Sequence, residues 1–208
     1  MRTGIITPSQ FHKIIQIEAA VKRLEKKYIP KEKQQSIRPN EWYVFRPKGP
    51  NHPIYRATPA KPLINFMEKA NINPNRHCVV LGSGLGLSTA VLSFYFKFIT
   101  AYELNKYLHR DAEENCRNFG LNNIIFKNMN FLKVNMKLFG AVYFNLPFVE
   151  NFIELMGAVL KRTLPGTIII SHLISLDFFG SSYFKELRGG NFSIDREFFM
   201  AKRTKMGH

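Results

Sequence analysis

The run Cys78-Val79-Val80-Leu81-Gly82-Ser83-Gly84-Leu85-Gly86-Leu87-Ser88 constrains the fold more than any other stretch of this chain. An apolar segment stops at a turn holding three glycines, and a segment able to form a helix follows (87–96). Apolar residues without alternation predict a strand covered on both faces. Glycines at this spacing let backbone approach a ligand where a Cβ would clash. The next apolar run, Phe98–Tyr102, ends in Glu103, 21 residues after Gly82. An acid in that place accepts hydrogen bonds from the two ribose hydroxyls of an adenosine ligand. Strand, glycines, helix, strand and acid in this order together say far more than the glycines alone.

The rest of the chain keeps the alternation. Thr58 and Pro59 suit an N-cap and first-turn pair for a helix to Ala70. Helices are also expected over 105–119, ending at Gly120, and over 149–162. Further strands are expected over 123–127, 140–144 and 167–172. Tyr183–Leu187 reads as a short helix and Ile194–Arg203 as a last strand or hairpin. Strands alternating with helices imply an α/β, doubly wound, mostly parallel sheet with its ligand at the carboxyl ends of the strands. Upstream, Phe11, Ile14, Ile15, Val21, Leu24 and Tyr28 recur at helical spacing over 8–28, an N-terminal helical extension. Residues 29–62 read as an irregular lead-in rich in Pro, Lys and Arg. Its aromatics Trp42, Tyr43, Phe45 and Tyr55 lie among Arg38, Arg46, Lys48 and Arg56. They pin the loop to the core or stack on bases.

Charge is uneven. The chain carries 30 basic and 15 acidic residues, a net of +15. Residues 1–61 alone hold 13 basic against 4 acidic, a net of +9, with Lys22, Arg23, Lys26, Lys27, Lys31 and Lys33 close together. Such an excess attracts nucleic acid, an anionic membrane or an acidic protein; on its own it also serves solubility. Two cysteines, Cys78 and Cys116, have neither disulfide nor zinc spacing, which points to a reducing, cytoplasmic setting. No apolar run reaches membrane-spanning length, and the first residues lack a secretory apolar core. His52, His77, His109 and His172 share no metal-ligand spacing, so no metal is expected. Gly82-Ser83-Gly84 is not a nucleophile elbow, which argues against a Ser/His/Asp hydrolase.

Three elements fall at successive strand ends: the glycine loop, Glu103, and Asn145-Leu146-Pro147-Phe148. Over roughly residues 53–172 they resemble the class I, Rossmann-like S-adenosylmethionine-dependent methyltransferases. The resemblance implies cofactor contacts from Leu81, Gly82, Ser83, Gly84 and Gly86, a ribose contact from Glu103, and an adenine contact from Asn130 or Phe131. It implies a methyltransferase domain over 53–208 after a basic helix and lead-in over 1–52. Two positions that usually carry acids hold Val80 and Asn130 instead, which opens a second possibility: a methyltransferase-fold module without catalysis that binds an acidic partner. Nicotinamide-binding domains share the strand-glycine-acid layout, but the fourth-strand element fits methyl transfer better.

Asn145-Leu146-Pro147-Phe148 is similar to the motif of enzymes that methylate planar nitrogens, the adenine-N6 methyltransferases among them. An amide and a backbone carbonyl accept the amino hydrogens while an aromatic ring stacks on the base. Asn145, Pro147 and Phe148 are the expected catalytic residues; the alternative is a strand-to-helix turn. A second resemblance joins two other segments. Tyr55-Arg56-Ala57-Thr58-Pro59 and Leu164-Pro165-Gly166-Thr167-Ile168-Ile169-Ile170-Ser171-His172 look like segments of small protein lysine methyltransferases of the archaeal and mitochondrial type. That resemblance implies that Tyr55 and Thr58 lie over the cofactor. His172 at a strand end either touches substrate or is a hydrogen-bonded structural residue. The expected function is methylation of a macromolecular nitrogen. Protein lysine is slightly favoured over an RNA or DNA adenine.

Overall fold

The computed structural model describes residues 5–28, 44–45, 55–70, 72–145, 152–173, 184–186 and 198–203. In chain order these form α1 (Pro8–Glu25), β1 (Val44–Phe45), β2 (Tyr55–Arg56), α2 (Ala60–Ala70), β3 (His77–Leu81), α3 (Leu87–Leu92) and β4 (Phe98–Glu103). There follow α4 (Lys106–Asn118), β5 (Ile124–Asn128), β6 (Ala141–Phe144), α5 (Phe152–Lys161), β7 (Ile168–His172), β8 (Phe184–Glu186) and β9 (Phe198–Arg203).

Seven strands make one sheet in the order β5-β4-β3-β6-β7-β9-β8. The first five are mutually parallel. Strand β9 runs antiparallel to β7, and β8 antiparallel to β9, so β8 points the same way as the five. The chain leaves β3 toward β4 and β5, then returns to build β6 and β7 on the other side. The order therefore reverses at β3, and a crevice opens beyond its carboxyl end. Register brings the strand ends level there: Leu81 lies beside Tyr102 on one side and Phe144 on the other.

Burial explains why β3 has no polar alternation. Cys78 and Val80 enter a core formed with Ile14, Ile17, Leu63, Met67, Leu92 and Phe96. Val79 and Leu81 enter the opposite core with Val142, Phe144, Met156 and Leu160. Each core is the apolar face of helices laid on one side of the sheet. Local chemistry sets the helix ends. Asn105 caps α4, its Oδ1 accepting from the N–H groups of Tyr107 and Leu108. At the other end Gly120 adopts φ +67°, and Leu121 N–H reaches Cys116 O while Gly120 N–H reaches Arg117 O. That pair of bonds is the Schellman arrangement.

Several expectations need correction. On α1 the buried face is Ile14, Ile17, Val21 and Glu25, whereas Phe11 and Ile15 are exposed. The apolar repeat was read one position around the helix from the stripe that packs. Helix α3 stops at Leu92, six residues long. Residues 184–186 are a strand, not a helix: three residues carry little propensity, and the ladder to β9 decides their conformation. The lead-in holds a two-stranded ladder, Val44 opposite Arg56 and Phe45 opposite Tyr55. Thr58 does not cap α2. Leu63 N–H bonds to Pro59 O, and the Thr58 hydroxyl is engaged elsewhere.

Candidate functional site

The glycine loop is tied to the end of β4. Gly82 and Gly84 take left-handed φ values of +74° and +55°, which glycine reaches without penalty. Gly82 and Ser83 N–H groups both donate to Tyr102 O at 2.9 Å. Gly84 N–H donates to Glu103 Oε2 at 2.8 Å, and Asn105 N–H to Glu103 Oε1 at 2.9 Å. Each carboxylate oxygen thus holds one backbone N–H and keeps a further acceptor position. Burial raises the pKa of Glu103, while the backbone bonds from Asn105, Gly84 and Leu104 act the other way. Asn128 steadies this strand end by donating to the carbonyls of Glu103 and Leu104.

Gly86 has a different task from the one expected. A Cβ built there would lie 3.1 Å from Ala112 Cβ and 3.4 Å from Cys116 Sγ. Its missing side chain lets the loop close onto α4, so its link to a cofactor is indirect. Leu81 likewise turns its side chain into the core. Ser83 differs from both: it is buried, and its Oγ has no hydrogen-bond partner among the described residues. A buried hydroxyl in that state, between two glycines, fits a loop built to receive a polar ligand.

Two strands over, the carboxyl ends of β6 and β7 meet the start of α2. Asn145 Nδ2 donates to Thr58 Oγ1 at 2.7 Å. The same oxygen lies 2.8 Å from Tyr143 OH and 3.3 Å from His172 Nδ1. His172 is fully buried, its ring stacked on Phe198 with centroids 4.6 Å apart. This places His172 as a hydrogen-bonded residue of the interior. Burial drives the Tyr143 hydroxyl pKa up, opposed by its bonds to Thr58 and Ser88. Sequence reasoning passed over Tyr143 and Ser88 as core and helix residues. The available signal was the tyrosine itself, since a buried phenol needs a partner.

After β5, Asn130 Oδ1 accepts from Leu132 N–H at 2.9 Å and caps the short 3-10 turn Phe131–Lys133. Phe131 packs half-buried against the core that contains Leu81 and Tyr102. These two residues therefore flank the β4 end where Glu103 lies. Leu146, Pro147, Phe148, Trp42, Tyr43 and the side chains of Phe45 and Tyr55 lie outside the described residues. No cluster of metal-ligating side chains occurs among the described residues.

An RNA methyltransferase from Salinibacter ruber, solved with S-adenosyl-L-homocysteine, superposes with a TM-score of 0.56 at 15% identity, covering 73% of this chain and 99% of that one. The fold is the Rossmann-like methyltransferase fold. The tRNA (m1A58) methyltransferase TrmI from Aquifex aeolicus is similar to the same degree: TM-score 0.54, 17% identity, 72% of this chain and 70% of that one. No family model matches the chain, and no curated protein matches its sequence. The β5-to-β7 half of the sheet, with its switch at β3, thus puts the glycine loop, Glu103 and Asn145 at the end of the sheet where this fold binds ligands.

Proposed function

We propose that the protein is an S-adenosylmethionine-dependent methyltransferase acting on an amino nitrogen of a macromolecule, with protein lysine the favoured acceptor. The observation that carries this is the pairing of a ribose-type acid with the glycine loop. Glu103 is bonded to Gly84 N–H at the switch point of the sheet, beside the unpartnered Ser83 hydroxyl. Gly82, Ser83 and Gly84 would hold the methionine end, Glu103 the ribose, and Asn130 and Phe131 the adenine. When bound, the cofactor supplies a methyl group on a sulfonium. The chain's own residues position and desolvate. Asn145 accepts an N–H of the incoming nitrogen, which fixes its lone pair, and such positioning is a large part of what a transfer of this kind needs.

Lysine is favoured because the two segments that carry the lysine-methyltransferase resemblance converge. Thr58 of the first and His172 of the second share a hydrogen bond at 3.3 Å, with Asn145 on the same hydroxyl. Adenine remains the second reading, supported by the Asn145-Leu146-Pro147-Phe148 sequence. Calorimetry with S-adenosylhomocysteine tests the cofactor; absence of binding removes the enzymatic reading and leaves the non-catalytic module. Methyl-labelled cofactor incubated with a cell extract tests the acceptor. Label lost to protease supports lysine, and label lost to ribonuclease or deoxyribonuclease moves the acceptor to adenine.

A further inference from the structure

Thr58 was expected over the cofactor, yet its hydroxyl is fully committed inside the protein. A hydroxyl offers one donor and two acceptor positions. Asn145 Nδ2 can only donate, so it takes one acceptor position at 2.7 Å. Tyr143 OH at 2.8 Å and His172 Nδ1 at 3.3 Å share the remaining proton and lone pair. Thr58, Tyr143 and His172 are all at most 2% exposed, so water does not compete for these positions.

The consequence falls on Asn145. A side-chain amide has two unlike ends on one plane, and a half-turn exchanges donor for acceptor. With Oδ1 toward Thr58, the hydroxyl proton would have to leave Tyr143 or His172, and one of these buried groups would lose its bond. The network therefore selects the orientation with Nδ2 on Thr58 and the amide oxygen turned away from it. We infer that Thr58 is a positioning residue that locks the Asn145 amide with its acceptor end toward the methyl acceptor. The site is thereby restricted to nitrogens that carry a hydrogen. An amine or exocyclic amino group satisfies it; a ring nitrogen that offers only a lone pair meets a second acceptor and is rejected. This rests on the methyl-transfer reading above.

The test uses Asn145→Asp, because a carboxylate presents an acceptor oxygen whichever way it turns. In the otherwise unchanged chain, Thr58→Val should lower kcat about 10- to 100-fold, the range of coupling expected within one hydrogen-bond network. KM for S-adenosylmethionine should change little, and Thr58→Ser should restore most of the loss. In the Asn145→Asp background the penalty of Thr58→Val should shrink to below about threefold. An equal penalty in both backgrounds would overturn the inference, since the hydroxyl would then serve something other than amide orientation. A second readout needs no turnover. In protein labelled with 15N-asparagine, the Asn145 side-chain NH2 should show slow hydrogen exchange that Thr58→Val abolishes and Thr58→Ser keeps. Fast exchange in the unmodified protein also overturns it. If the unmodified protein binds S-adenosylhomocysteine yet methylates only ring nitrogens, methyl transfer stands and the inference fails. If it binds no cofactor, methyl transfer fails and a protected amide marks a structural bond only.

Discussion

At the residue scale the acid and the amide carry separable predictions. Glu103 is buried with its pKa raised, desolvation being the largest cause. For an acid held above its unfolded value, the contribution to stability is fully present below the unfolded pKa and is lost as pH rises through the folded one. Ribose hydroxyls donating to the carboxylate would favour its ionised form. Affinity for S-adenosylhomocysteine should therefore rise with pH through the raised pKa, and Glu103→Gln should flatten that dependence while weakening binding overall. Calorimetry across pH reads both; an unchanged slope in the mutant assigns the dependence to another group. Asn145→Ala should leave cofactor affinity within a few-fold but lower turnover by about 100-fold or more, the scale for losing one placed polar contact at a reacting centre. A folded variant with full activity would assign Asn145 to turn structure. Glu103 and the glycines were legible because both belong to one contiguous strand-loop-helix-strand unit. The Thr58 cluster was not: its partners lie 85 to 114 residues away, and only the packed sheet brings them together.

At the element scale, what decides each helix is the surface it covers. Ile17 on α1 is fully buried, while Phe11 is 39% exposed. Ile17→Ala should cost about 2–5 kcal/mol in chemical denaturation, as for other buried aliphatic truncations. Phe11→Ser should cost far less, and equal losses would mean that the helix packs by another face. Gly86→Ala meets two penalties, a left-handed φ of +87° and a Cβ 3.1 Å from Ala112 Cβ. The strained backbone alone is worth about 1–3 kcal/mol. Adding Ala112→Gly should recover the contact part of the loss and leave the backbone part, which denaturant midpoints of the three variants separate. The buried parallel strands were readable from unbroken apolar runs. Strand β8 was not, because an edge strand of three residues owes its shape to the ladder with β9 rather than to its own sequence.

Across the whole molecule the charge is the feature that fold alone does not use. Helix α1 lays Ile14, Ile17 and Val21 on the core, and its last turn and the residues just beyond present Lys22, Arg23, Lys26 and Lys27 outward. Lys27 is only loosely paired, 3.7 Å from Asp111 and 62% exposed. Asp111 is already bonded by the Tyr28 hydroxyl at 2.9 Å, which fastens the end of the helix to α4. A rigid helix end studded with cations, in a chain of net charge +15, is suited to docking an acidic partner. Polyglutamate and bulk tRNA are the two probes that separate the acceptor classes. If the substrate is an acidic protein, polyglutamate binding should weaken gently with salt, as ordinary screening dictates. Replacing Lys22, Arg23, Lys26 and Lys27 by Gln should then weaken it several-fold. If the substrate is nucleic acid, tRNA affinity should fall with a log–log slope of about −0.7 to −0.9 per phosphate contacted, and the same replacement should reduce that slope. Binding of both probes unchanged by the four replacements would leave these lysines and the arginine with solubility as their role and move the docking surface elsewhere on the molecule.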